Sequence, residues 1–453
     1  MRCFGFEFFA DVGGSDAITI RVGFRLCGNT LAYVVVTRLA LDLLRANNSL
    51  RPRLGVLMQF RRLAELAVAP FFLPIASAIL FIGLGDAVAG SYLTLFAVNQ
   101  AHLSPLALGI FLTALALSGI IISTAFGFWL DRTPSLAPLL LALLMTVVGY
   151  ALLTVTTQYL LLLLIAALPL GTGAAAFPQL FALAKGHLDQ ISEPVAERGT
   201  AMMRATWSVA WAVGPALGAL VITFFEFRGV FLTTAISAVL ASAVIGFARV
   251  RAARRTMTAD ANQTPAHPTI RETGLAASSL TFFHMAMFMG SIALPIVATQ
   301  KLGGTNADIG LIFSVCAFLE VLVMLTFVLR PSISGTRRWL SAGFVAFVLY
   351  FLVITWAPSV AILLLAQALR AIGIGFVGYH GISYIQVLMP DRVGSAATLF
   401  SNTANAGFLF AGLAAGGWAQ LFGYRSMFLV CAVLSGLGLL MLYLQSRINV
   451  AVH

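Results

Sequence analysis

FEFRGVFL at 225–232 returns as FGYRSMFL at 422–429, at one constant offset that aligns Phe225 with Phe422, Arg228 with Arg425, Phe231 with Phe428 and Leu232 with Leu429. Two apolar segments can resemble each other by chance, but arginines held in register inside an apolar chain do not follow from apolarity. The echo continues upstream. Arg198 is answered by Arg392, and Gly171 with Gly173 by Gly373 with Gly375. The chain reads as a parallel duplication, two copies of one unit related by an axis along the membrane normal.

Composition says that the normal is that of a bilayer. Of 453 residues, 60% are hydrophobic and 9% charged, whereas charged residues approach about a quarter of a soluble domain. A β-barrel alternates polar and apolar residues along short strands; this chain runs apolar on every face, as at 71–84 and 136–153. Forty glycines suit helices that pack closely in lipid. The net charge of +11 would suggest nucleic acid in a soluble protein. Here the basic residues fall between apolar spans, so no nucleic-acid partner is expected. Cys3, Cys27, Cys316 and Cys431 show neither paired spacing nor a metal pattern, so no metal or disulfide framework is expected.

With about twenty apolar residues per crossing, the chain divides into twelve expected helices near 70–98, 106–129, 134–156, 159–183, 200–223, 229–248, 274–299, 307–329, 339–357, 359–388, 395–421 and 426–446. The fold class is all-α membrane protein, two six-helix halves at 58–248 and 274–453 joined by a polar linker at 249–273. Arg61, Arg62, Arg132, Lys185, Arg254, Arg255, Arg337, Arg338 and Arg447 collect on one side, against Arg228, Lys301 and Arg425 on the other. Both termini are therefore expected in the cytoplasm. Residues 1–57 stand outside the scheme: Arg38 and Asp42 interrupt 29–44, and Glu7 and Asp11 spoil a signal peptide. Met58, followed by Arg61 and Arg62, is a plausible start; the alternative is an interfacial cytoplasmic arm.

Charges inside a span cost about 2.5–3.5 kcal/mol on insertion scales and need a reason. Asp86, Arg204, Glu320 and Arg370 are such residues, joined by His284 and His380, and none falls in spans 3, 6, 9 or 12. A central polar pathway predicts this distribution. Two acids against two bases allow pairing at rest, and a carboxylate held from water can take up and release a proton as its surroundings change. The proton-coupling candidates are Asp86, Glu320 and Arg370, with Glu320 or Asp86 as the coupling acid; the alternative is that the acids are structural partners of Arg370 and Arg204.

In span 5, Arg204, Trp207, Ser208 and Trp211 share one helical face. Indoles stack on sugars or planar drugs, and arginine and serine donate hydrogen bonds; the alternative is packing or interfacial anchoring. Span 10 supplies Gln367, Tyr379 and His380, and span 11 Asn402 and Asn405. No Walker-type phosphate loop and no nucleophile with a helically placed base occurs. An enzyme is not expected, nor a cofactor beyond a proton gradient.

Gly127, Asp131 and Arg132 after span 2 are spaced like the opening of the loop motif of major facilitators, although Thr133, Pro134 and Ser135 replace its later residues. Gly214, Pro215 and Gly218 resemble the antiporter motif of efflux-type facilitators, where proline removes a backbone donor. PQLFALA at 178–184, MRA at 203–205, WAVGP at 211–215, LE at 319–320, LMP at 388–390 and GSAATLF at 394–400 with Asn402 resemble, in order, blocks of the bacterial sugar efflux transporter family of the major facilitator superfamily. The resemblance spans about 58–448. It implies proton-driven export of sugars or small glycosides across the bacterial inner membrane by a monomer. It carries over to Gln179, Arg204, Ser208, Trp211, Pro215, Glu320 and Asn402; Trp207, Asp86 and Arg370 depart from it. Efflux of amphipathic drugs is the competing transport reading, and a membrane sensor or passive channel the reading from another class.

Overall fold

The structure is a computed structural model and describes residues 6–12, 18–24, 71–133, 135–188, 193–250, 270–329, 335–389 and 393–452. The chain divides into two units, Met1–Ala67 and Val68–His453. In the first, β1 (Phe6–Val12) and β2 (Ile18–Phe24) pair antiparallel, Phe6 opposite Phe24 and Val12 opposite Ile18. Both strands fall within residues 1–57, which stand outside the helical scheme. Phe6, Phe8, Ala10 and Val12, then Ile18, Ile20, Val22 and Phe24, are apolar at every second position, the period of a strand. The remaining features expected of residues 1–57, the start at Met58 and most of the 249–273 linker lie outside the described residues.

The second unit is helical. It comprises α1 (Phe72–Leu95), α2 (Pro105–Arg132), α3 (Ala137–Leu153), α4 (Tyr159–Ile165), α5 (Ala176–Leu188), α6 (Glu193–Phe247), α7 (Ile270–Gln300), α8 (Asn306–Leu329), α9 (Thr336–Thr355), α10 (Val360–Leu388), α11 (Val393–Phe422) and α12 (Met427–Val452). Between α4 and α5 the helix path continues through a π-helical turn, Ala166–Leu170, at Pro169, where a missing N–H leaves room for the wider turn. α6 is two helices in one, broken at Glu226, whose φ of 54° and ψ of −160° are not helical. Among the described residues nine helical stretches are long and apolar enough to cross a membrane, one being Met202–Phe247. The 17-residue Ala137–Leu153 is shorter, and α11, which carries Ser401, Asn402, Thr403 and Asn405, is not among the nine.

Packing repeats the sequence duplication. α1 packs on α6 and α3 on α6; in the second half α7 packs on α11 and α12, and α9 on α12. α10 packs on α8 and α9 as the α4 to α5 segment packs on α2 and α3. Between halves, α2 packs on α11 and the first part of α6 on α8, a reciprocal pair that a two-fold relation requires. The repeated phenylalanines explain why the motif persists: Phe231 and Phe428 are both fully buried, while the leucines after them, Leu232 and Leu429, point outward.

Close approach rests on small residues, since lipid gives apolar helices no reason to associate. A Cβ on Gly109 would lie 2.6 Å from the Gly412 carbonyl oxygen, and one on Gly416 2.6 Å from the Pro105 oxygen. The hydrogen bonds between described residues that join the halves all lie at this same end of the bundle. Gln300 Nε2 donates to Asn99 Oδ1 at 3.0 Å, Leu106 N–H to Gln420 Oε1 at 3.4 Å, Ala216 N–H to Ser314 Oγ at 3.1 Å, and Tyr92 Oη to the Asn306 carbonyl oxygen at 3.0 Å. We refer to it as the sealed end.

Candidate functional site

The faces that seal one end open at the other. On α11, Asn402, Asn405, Gly412 and Gly416 fall along one face; the glycines meet α2, and about two to three turns away the asparagines are exposed. On α6, Arg204, Ser208, Trp211, Pro215 and Ala219 likewise share a face. Pro215 and Ala219 meet α8 through Gly310, Trp211 and Ser208 are half-buried, and Arg204 is exposed. The halves therefore diverge from a closed end into a polar-lined opening, and the span 5 stripe lies on its wall.

α1 supplies the facing wall. A Cβ on Gly83 would lie 3.0 Å from the Trp207 ring, and one on Gly90 3.5 Å from the Trp211 ring. Asp86 lies between them on the same face and is exposed. The structure thus brings Asp86 beside the tryptophan stripe. Trp207 is held from its other side by Phe177, ring centres 4.3 Å apart, and Gln179 on the same helix is buried.

In the second half, Arg370 is buried and its guanidinium lies over the Phe313 ring, 5.2 Å from the centroid. Its Nη2 donates to Ser291 Oγ at 2.7 Å and its Nη1 to Gln367 Oε1 at 3.4 Å. Half-buried Glu320 is within electrostatic reach of Arg370 but makes no direct ion pair with it. Pairing of Asp86 with Arg204 is likewise not formed. Gln367 has no exposed surface, and its amide is satisfied inside: Nε2 donates to Leu363 O at 2.8 Å and Oε1 accepts from Arg370.

Tyr379 and His380 sit elsewhere, in an aromatic cluster against α8 and α9. Tyr379 stacks on Phe327 at 5.2 Å, and His380 lies 4.6 Å from Phe327 and parallel to Trp339. His284 is buried between α7 and α11, its Nδ1 3.2 Å from Thr403 Oγ1. Among the described residues no group of three or more His, Cys, Asp or Glu gathers as metal ligands.

Of the two motifs, the first is only partly visible: Gly127 has no close neighbour, Arg132 is exposed, and the Asp131 side chain lies outside the described residues, as do the side chains of Arg198 and Arg392. The second is a junction of three helices. A Cβ on Gly214 would meet Ala87 at 2.5 Å, one on Gly218 the Tyr92 ring at 2.6 Å, and one on Gly310 the Pro215 oxygen at 2.7 Å. Tyr92 Oη lies 3.0 Å from both the Pro215 and the Asn306 carbonyl oxygens. Sequence reading missed Tyr92, Ser291 and Phe313. A tyrosine inside a span was a visible signal; a serine on an apolar helix was not.

Comparison with known proteins adds to this geometry. The Major Facilitator Superfamily model matches residues 75–282 and 276–450. A protein of Deinococcus radiodurans, described as a candidate sugar efflux transporter, is 38% identical over 81% of this chain and 95% of its own. Sugar efflux transporter A of Dickeya chrysanthemi is 29% identical over 80% and 93%, and Sugar efflux transporter C of Escherichia coli 27% identical over 81% and 95%. Among solved structures, the POT family transporter PepTSo superposes with a TM-score of 0.68 at 13% identity, covering 84% of this chain and 98% of that one. A bacterial homologue of the human lysosomal transporter Spinster, inward-facing and unoccupied, gives 0.66 at 12% identity over 83% and 96%. At such identities these two show the fold alone.

Proposed function

The chain belongs to the sugar efflux transporter family of the major facilitator superfamily, and from that premise we propose that it exports sugars or small glycosides by proton antiport through alternating access. It is a transporter rather than an enzyme. The observation that carries the reading is the shared face of α6, on which Pro215 closes the sealed end while Trp211, Ser208 and Arg204 line the opening. An indole, a hydroxyl and a guanidinium are what an uncharged polyol needs, an apolar ring face to stack on and donors at its edge. Asn402 and Asn405 add amides from the other half.

Twelve crossings with both termini in the cytoplasm are the topology that places the basic loops inside. The sealed end then faces away from the cytoplasm, and the opening faces inward, ready to load a sugar for export from a bacterial inner membrane. Asp86 and Glu320 are the two carboxylates on the pathway able to exchange a proton for the sugar. The chain acts as a monomer, since the α6 stripe, the α11 amides and the carboxylates of α1 and α8 all come from one chain.

The test uses inside-out vesicles acidified within. Lactose or an alkyl glucoside added outside releases lumenal protons, and Glu320→Gln stops the release. Release with a cationic dye but not with sugars moves the function to drug efflux; no release with either overturns antiport.

A further inference from the structure

The Arg370 site holds a feature that proton exchange does not require. Its two acceptors are neutral, and each is oriented by a bond to its own helix. Ser291 Oγ–H donates to Met287 O at 2.8 Å, which turns an oxygen lone pair toward Arg370 Nη2. Gln367 Nε2 donates to Leu363 O, which fixes Oε1 toward Nη1. Phe313 supports the guanidinium from one face. A buried arginine that served only to offset charge would pair with a carboxylate, and Glu320 stands within reach without doing so. Nε makes no hydrogen bond and is not completely sealed, although Arg370 as a whole is buried, so that edge of the guanidinium keeps a donor to spare.

We propose that Ser291 and Gln367 form a neutral cradle that presents the Nε edge of Arg370 to the transported sugar, so that Arg370 contacts substrate and Ser291 and Gln367 are positioning residues. Glu320 lies two turns along α8 from Phe313 on the same face, a rise of about 10 Å, which is on the scale of a sugar ring with its hydroxyls. A sugar held there accepts a hydrogen bond from Arg370 and donates one to Glu320. A guanidinium keeps its charge and its planar donor fork, so it marks one end of the sugar whether or not Glu320 carries a proton. Gln367 therefore acts one step behind the substrate, with both ends of its amide already engaged.

The inference rests on the sugar-export reading and is tested by lactose counterflow in proteoliposomes at equal pH on both sides, where no proton gradient enters. Ser291→Ala raises KM about tenfold, as loss of a hydrogen bond to a charged group does, with the maximal rate within about twofold of the parent. Ser291→Thr, which keeps the hydroxyl, restores KM. Arg370→Lys, which keeps the charge but loses the fork, raises KM as Ser291→Ala does and serves where the serine variant is poorly made. An unchanged KM in Ser291→Ala or Arg370→Lys, or a fall in maximal rate alone, overturns the cradle while leaving sugar export standing. Absence of counterflow by the unaltered protein with lactose and with an alkyl glucoside overturns the export reading, and the cradle with it.

Discussion

Glu226 and Gly423, brought into register by the duplication, both take a positive φ, 54° at Glu226 and 78° at Gly423. Both halves thus take a positive φ at the same place between their last two helices, but only the second half puts glycine there. With ψ of −160°, Glu226 occupies a region that is nearly glycine's alone and costs about 1–3 kcal/mol. Glu226→Gly relieves that strain, against an entropy cost of about 1 kcal/mol, and so raises the thermal unfolding temperature in detergent. Gly423→Ala lowers it. A fall on Glu226→Gly contradicts this account.

The aligned arginines divide differently. Arg425 Nε and Nη2 each donate to a carbonyl at 2.8 Å, those of Thr355 and Ala357, and so tie the α9–α10 connection to the α11–α12 turn. Arg228 is exposed and makes no hydrogen bond. Arg425→Ala therefore costs about 3 kcal/mol, as loss of two charge-assisted bonds does, and Arg228→Ala almost nothing; equal losses in chemical unfolding would refute the contrast.

Tyr424 stands where the first half has Phe227, and its buried hydroxyl has no partner. Burial pushes its phenol up to about 12. The folded protein therefore holds this proton more tightly than the unfolded chain, so stability is insensitive to this group below about pH 10 and falls as pH rises toward 12. Tyr424→Phe removes an orphaned hydroxyl worth about 1 kcal/mol and flattens the alkaline loss. Stability profiles from pH 8 to 12 that superpose for the two proteins count against this.

The two tryptophans of α6 differ in what they touch. Trp207 packs on Phe177 and Gly83, so Trp207→Ala opens a cavity and costs about 3 kcal/mol of stability. Trp211→Ala leaves the fold closer to intact and weakens sugar binding by about tenfold, the value of one lost aromatic stack. Titration of lactose into each purified variant, beside its melting curve, separates the two roles.

Gly109→Val drives a side chain into the backbone of α11. It wedges the sealed end apart, and a cysteine placed at Ser208 then reacts faster with an impermeant maleimide added outside intact cells. No gain in reactivity excludes this contact from the seal.

The duplication was legible because FEFRGVFL and FGYRSMFL carry residues with fixed duties, fully buried Phe231 and Phe428 and a positive φ at the aligned Glu226 and Gly423. The span 5 stripe was legible because helical periodicity places Arg204, Ser208 and Trp211 on one face without knowledge of any neighbour. What periodicity cannot give is the identity of the neighbour. Arg370 was paired with a carboxylate on charge alone, and its partners proved to be Ser291 and Gln367, chosen by which helices meet. Tyr379 and His380 read as lining because they are polar, yet ring packing against Phe327 and Trp339 places them in an aromatic cluster. The hairpin of β1 and β2 was passed over because attention to apolar runs overlooks a period of two.

Tyr92 has one hydroxyl proton and two carbonyl oxygens at 3.0 Å, Pro215 in its own half and Asn306 in the other. When the halves part, the proton can remain with Pro215, and what is given up is a second acceptor's claim on it. A carbonyl short of one bond is tolerated more readily than a donor with none. The seal can thus break at Tyr92 without stranding a donor in the dry interior, so the joint that holds the resting shape adds little to the barrier against leaving it.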